Sequence, residues 1–105
     1  MQIKTWNIEE MTGYKPFTTF YEDLSIADAF GANAIVDTIK TVLKSWGHDY
    51  KYMTEFIMAL NWKSWEHQNN EAYCKLYTES YYVLHDWALQ TLKGEELQYY
   101  LRTTD

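Results

Sequence analysis

The stretch at positions 50–67, YKYMTEFIMALNWKSWEH, carries the densest apolar pattern in the chain. Tyr52, Met53, Phe56, Ile57, Leu60 and Trp65 recur at helical spacing, and Tyr50, Met58, Ala59 and Trp62 fill much of the remaining circumference. A helix that is apolar on nearly every side is one that neighbours surround. The stretch has no Gly or Pro, and its Ala, Leu, Met, Lys and Glu all favour helix. It is expected to be the central helix of the fold.

The flanking segments supply its neighbours. Ile35, Ile39, Val42, Leu43 and Trp46 share one helical face, with Asp37, Lys40, Thr41 and Lys44 on the other. Asn33 is the expected cap of this helix and Gly47 its stop, and Asp49 is the expected N-cap of the central helix. After a break at Gln68-Asn69-Asn70, a long stripe runs through Tyr73, Leu76, Tyr77, Ser80, Val83, Leu84, Trp87, Ala88 and Leu92. Lys93-Gly94 ends that helix. Glu95 and Glu96 then open a last short one carrying Leu97, Tyr100 and Leu101, with Arg102 near its end, charges that suit the helix dipole.

The first third of the chain is less regular. Asn7 and Glu10 have capping-box spacing, which predicts one or two helical turns at 8–12 stopped by Gly13. Ile3 and Trp6 are expected to fold back on the core, and the alternation at 2–6 offers a strand without a partner. Tyr14-Lys15-Pro16 reads as a turn or extended link. Ser25 and Asp28 have cap spacing, so a short helix is expected there, starting at Ser25 or as early as Thr19 and ending at Gly31. The prediction is an all-α fold, one domain over 1–105. It is a small helical bundle with three principal helices at about 33–46, 50–68 and 71–92, plus short N- and C-terminal helices. Short connections predict antiparallel neighbours.

Composition narrows the function classes. At 105 residues there is room for one core, and 47% hydrophobic with 18% aromatic content argues against disorder. A formal charge of -6 disfavours a direct nucleic-acid binder, which needs a basic face to displace counterions. Cys74 is the single cysteine, so no intrachain disulfide forms, which suits a reducing cytoplasm. The start lacks a signal-peptide pattern, and the longest apolar run, 56–60, is too short to span a bilayer. A cytoplasmic location is expected.

Candidate chemistry is sparse. His67 and Cys74 stand seven residues apart, with His48 and His85 elsewhere, and none of these forms the close pairs of a structural zinc site. Cys74 lacks a catalytic signature, and the pairs Glu9-Glu10, Glu22-Asp23 and Glu95-Glu96 diverge on a helix rather than converge on a substrate. No metal, cofactor or catalytic residue is assigned, and a non-enzyme is expected. Most rings fall on core stripes, while Tyr21, Trp62, Tyr82 and Tyr99 are expected to face outward, where Tyr and Trp dominate protein-protein hot spots.

Charge is segregated along the chain. Positions 16–37 hold four acids and no base, positions 38–63 carry a net +2, and the remainder to the C-terminus carries -4. The bland account is a solvated surface. The sharper one is an electronegative face that meets a basic groove on a protein partner.

The segments TWNIEEMTGYKP, TTFYEDLSIADAFG, LNWKSWEH and LKGEELQYYLRTTD together resemble small uncharacterised acidic proteins of bacterial mobile genetic elements and prophages. The resemblance assigns no residue a role. It implies a context in which compact acidic proteins bind and inhibit host defence nucleases, as anti-CRISPR and anti-restriction proteins do, or regulate the element's own transfer. The expectation is a protein-binding module whose partner is a nucleic-acid-processing enzyme, contacted by Tyr21, Glu22, Asp23, Asp28 and Asp37. The alternative is a homodimeric accessory or regulatory protein of a mobile element.

Overall fold

Pro16 begins the first described helix. Its fixed φ suits a first helical turn, and its missing N–H would have had no intrahelical acceptor there. The computed structural model describes residues 16–104, so the expected turns at 8–12, the alternation at 2–6 and the fold-back of Ile3 and Trp6 lie outside the described residues. Five helices follow one another: α1 (Pro16–Phe30), α2 (Ala32–Trp46), α3 (Tyr50–Glu66), α4 (Glu71–Thr91) and α5 (Glu95–Thr104). Every described element is helical, so the chain is an all-α bundle. Of the expected link Tyr14-Lys15-Pro16, the first two residues lie outside the described ones and Pro16 opens a helix, and α1 is a full 15-residue helix rather than a short one.

The connections are short and built from local chemistry. Gly31 alone joins α1 to α2 at φ 116°, a backbone setting that a side chain would strain. It also occupies the cap position expected of Asn33, and no side chain caps α2. Asp49 caps α3 as expected, its Oδ1 accepting from the Lys51 N–H at 3.0 Å and the Tyr52 N–H at 3.3 Å. Asn70 caps α4 by accepting from the Tyr73 N–H at 3.4 Å. Asp49→Ala should lower stability by about 1 kcal/mol, read from the urea midpoint at unchanged m-value.

α3 is the central helix. It packs against each of the other four, and Tyr52, Met53, Phe56, Ile57, Ala59 and Leu60 are all buried in it. Phe20 and Leu24 of α1, Ile35 and Ile39 of α2, Tyr77 and Leu84 of α4, and Tyr100 of α5 close around it. Ser64 meets Thr78 while His67 meets Tyr73, a reversed order showing that α3 and α4 run antiparallel.

Two positions depart from the expected stripes. Trp65 is exposed, because the last turn of α3 gives Lys63 and Glu66 to α1 and Ser64 to α4, which leaves Trp65 on an open side with Asn61 and Trp62 of its own helix among the described residues. Val83 is exposed because it lines an open groove with Ile39, Leu43, Glu79, Ser80 and Leu84, where α2 and α4 stand apart. Trp62 and Tyr82 face outward as expected, whereas Tyr99 is half-buried with its ring edge-on to Tyr50 at 5.5 Å.

Candidate functional site

Charged residues occupy apolar-stripe positions on two helices, and the fold brings them together. Asp28 lies one turn beyond the buried Leu24 on α1, and Lys63 lies three residues beyond the buried Leu60 on α3. Lys63 is fully buried, and its Nζ stands 2.6 Å from Asp28 Oδ2, 3.0 Å from Glu66 Oε2 and 3.0 Å from Ser25 Oγ. An ammonium has three protons to give, and here each has an acceptor. Ser25 is accordingly no cap: it sits inside α1, where its hydroxyl donates to the Tyr21 carbonyl at 2.9 Å.

Asp28 is saturated in turn. Tyr77 OH donates to its Oδ1 at 2.5 Å, and His67 Nε2 meets its Oδ2 at 2.8 Å. An ionised carboxylate only accepts, so His67 carries a proton on Nε2. Tyr21 OH donates to Glu66 Oε1. Tyr21 also lies under the ammonium, with Lys63 Nζ 4.9 Å from its ring centroid, and His67 stacks on Tyr77 at 5.7 Å. The cluster thus clamps α1, α3 and α4 at one end of the bundle.

The electrostatics follow from these contacts. Burial disfavours the Asp28 charge, but hydrogen bonds from Lys63, Tyr77 and His67 outweigh it and hold the carboxyl below its usual range. Tyr21's hydrogen bond, with help from Lys63, lowers Glu66 against a smaller burial effect. Burial works against the Lys63 charge too, yet Asp28 and Glu66 raise it above an ordinary lysine. Burial and the Asp28 hydrogen bond push Tyr77 far up.

The lowered carboxyls stabilise the fold above their unfolded values of roughly 4 and lose that contribution as pH falls through the folded ones. The raised Lys63 and Tyr77 contribute fully below their unfolded values of roughly 10 and lose it as pH rises through the folded ones. Melting temperature should therefore plateau between about pH 5 and pH 9 and fall on both sides, as thermal melts across that range will show.

Among the described residues, the metal-capable donors that converge are Asp28, Glu66 and His67, within 4.8 Å of one another. They do not include Cys74, whose spacing from His67 offered no zinc signature: Cys74 pairs with Thr78 at 3.8 Å, and His85 bonds Tyr100 OH at 2.6 Å. Lys63 Nζ sits between the two carboxylates and already supplies the positive charge there. A lysine held as a fully hydrogen-bonded ammonium has no lone pair for attack or proton abstraction. The arrangement is that of an anchor.

The sequence-predicted contact residues divide accordingly. Asp28 points inward to Lys63 and is no part of an outer acidic face, and Tyr21 is half-buried on the cluster, stacked with Phe17 at 6.1 Å. Glu22, Asp23 and Asp37 are exposed. Asp23 and Asp37 meet across a groove between α1 and α2, lined also by Ile26, Thr38, Thr41 and Val42.

No family model, curated protein or solved structure matches the chain.

Sequence reasoning missed Lys63, Glu66 and Tyr77 as site residues. The available signal was a lysine and an aspartate each standing where the helical period calls for an apolar side chain.

Proposed function

We propose that the chain is a non-enzymatic protein-binding module of a mobile element that inhibits a defence nuclease by occupying a basic surface on it. The observation that carries this reading is the groove in which Asp23 and Asp37 stand on opposite walls above Ile26 and Val42. Glu22 is exposed next to Asp23 in the chain and adds a further negative charge to α1 outside the groove. The described groove lining holds two acids and no base, with Lys40 and Lys44 elsewhere on the exposed side of α2. Such an acid pair selects basic partners by complementary potential, and the apolar floor adds burial that charge alone lacks. The saturated Lys63 cluster fixes α1, the helix that presents Asp23, and its own groups are all engaged with one another.

The test is a tagged capture from nuclease-treated bacterial lysate, comparing the wild type with Glu22→Lys/Asp23→Lys/Asp37→Lys. The reading predicts one nucleic-acid enzyme on the wild type, released by rising salt and absent from the variant. The same proteins on both baits would contradict it.

A second reading is favoured by the exposed Trp62 and Trp65, rings of the kind that anchor interfaces. There the chain is a homodimeric accessory protein of the element, and sedimentation velocity shows a mass that rises with concentration and falls on Trp62→Ser/Trp65→Ser.

A further inference from the structure

The α1–α2 groove restricts what can fill it. Its walls are helices of 15 residues each, about 22 Å long at 1.5 Å per residue. On α1, Asp23, Ile26 and Phe30 stand at i, i+3 and i+7 and so share one face. Ile26 is 60% exposed and Phe30 79%, which makes that face an acidic and apolar ridge continuous with the groove. On α2, Asp37 and Thr41 stand one turn apart on the facing wall, with Val42 buried between the helices.

Three of the common recognition modes fit poorly. Strand addition needs a sheet edge to pair the incoming backbone, and every described element is a helix whose own backbone is already bonded. Polyproline segments dock between pairs of aromatic rings, and among the described residues Phe30 at the end of the ridge is the one ring beside this groove. A phosphorylated segment would meet two carboxylates where it needs arginines. A helix remains: it satisfies its own backbone and packs its ridge into the groove between two others.

We infer that the α1–α2 groove takes a basic amphipathic helix of the partner protein, its apolar stripe against Ile26, Phe30 and Val42 and its flanking Lys or Arg side chains against Asp23 and Asp37. This rests on the protein-binding reading above and names the element that the partner contributes. The mode is helix-in-groove, with apolar anchors giving affinity and the acid pair giving orientation and partner choice.

The test uses the full chain, isotope-labelled, titrated with synthetic peptides of about 18 residues, or five helical turns. One peptide places leucines at i, i+3, i+4 and i+7 with lysines beside them. A second has the same residues shuffled so that the leucines scatter, and a third replaces lysine by glutamate. The first should bind and shift the amides of Asp23, Ile26, Thr38 and Thr41. Its affinity should fall by about tenfold or more on Asp23→Lys/Asp37→Lys, and again on the surface variant Ile26→Ser, a change resolvable by titration.

Equal binding of the shuffled peptide would overturn the inference, as would shifts centred on Trp62 and Trp65 or no binding of the first peptide. A protein captured from lysate in an Asp23- and Asp37-dependent way, with no peptide bound, would remove the helix and leave the broader reading standing. Peptide binding at the groove with no protein captured would support the helix and count against the nuclease.

Discussion

Phe56→Ala is expected to cost about 4 kcal/mol, within the range for deleting a buried aromatic. Phe56 is fully buried at the middle of α3, and its ring meets Phe20 edge-on at 5.3 Å. Truncation removes the transfer energy of the ring and leaves a cavity in the core, where Phe56 is fully buried. Phe20 loses its edge-to-face partner as well, a contact worth about 1 kcal/mol beyond area. Because a domain of this size shifts by roughly 4–8 °C per kcal/mol, the melting temperature should drop by about 15 °C or more. Trp65→Ala on the same helix should change it by no more than about 0.5 kcal/mol, since the indole is 69% exposed. A thermal melt of both variants checks the assignment of α3 faces, and equal losses would contradict it.

Lys63→Met is expected to cost about 3 kcal/mol, through the charge it leaves behind rather than the contact it removes. Asp28 would stay largely enclosed with no cation, and breaking one side of a buried pair typically costs about 3–5 kcal/mol. The lower end applies because Glu66 is 43% exposed and the cluster lies near the surface. Asp28→Leu combined with Lys63→Met should recover most of the loss, because both desolvation penalties disappear together and Tyr77 OH still has the Leu24 carbonyl at 3.4 Å. Urea denaturation of the two single variants and the double gives the coupling directly, and strict additivity would show that the pair does not interact. The double variant should also flatten the loss of stability at both pH extremes.

The helices were legible because apolar periodicity is local. Asp49, Gly47 and Gly94 punctuate the stripes, and the boundaries of α2, α3 and α4 follow within a few residues. The length of α1 was less legible. Its Ser25–Asp28 spacing imitates a cap, while Pro16 at a helix start imitates a link, and Phe20 packing on Phe56 decides for one long helix. The site was half legible. Asp23 and Asp37 carry the charge signal and are exposed, but Asp28 carries the same signal and is drawn inward by a lysine 35 residues away. Pairing across that separation is set by how α1 lies on α3, which no local pattern encodes. The exposure of Trp65 has the same origin: periodicity places a face, and the number of neighbours on that face depends on where the other helices end.

The acids of α1 divide in two, with Asp28 anchoring the helix from within and Asp23 facing the groove that Asp37 also lines. Thermal melting of Asp28→Asn beside Asp23→Lys/Asp37→Lys tests this division most directly. The account predicts a fall on the order of 10 °C for Asp28→Asn, which weakens the Lys63 pairing, and a change within about 0.5 kcal/mol for the outer pair. An Asp28→Asn protein as stable as the wild type, or an outer-pair variant that melts as low as Asp28→Asn, would contradict it.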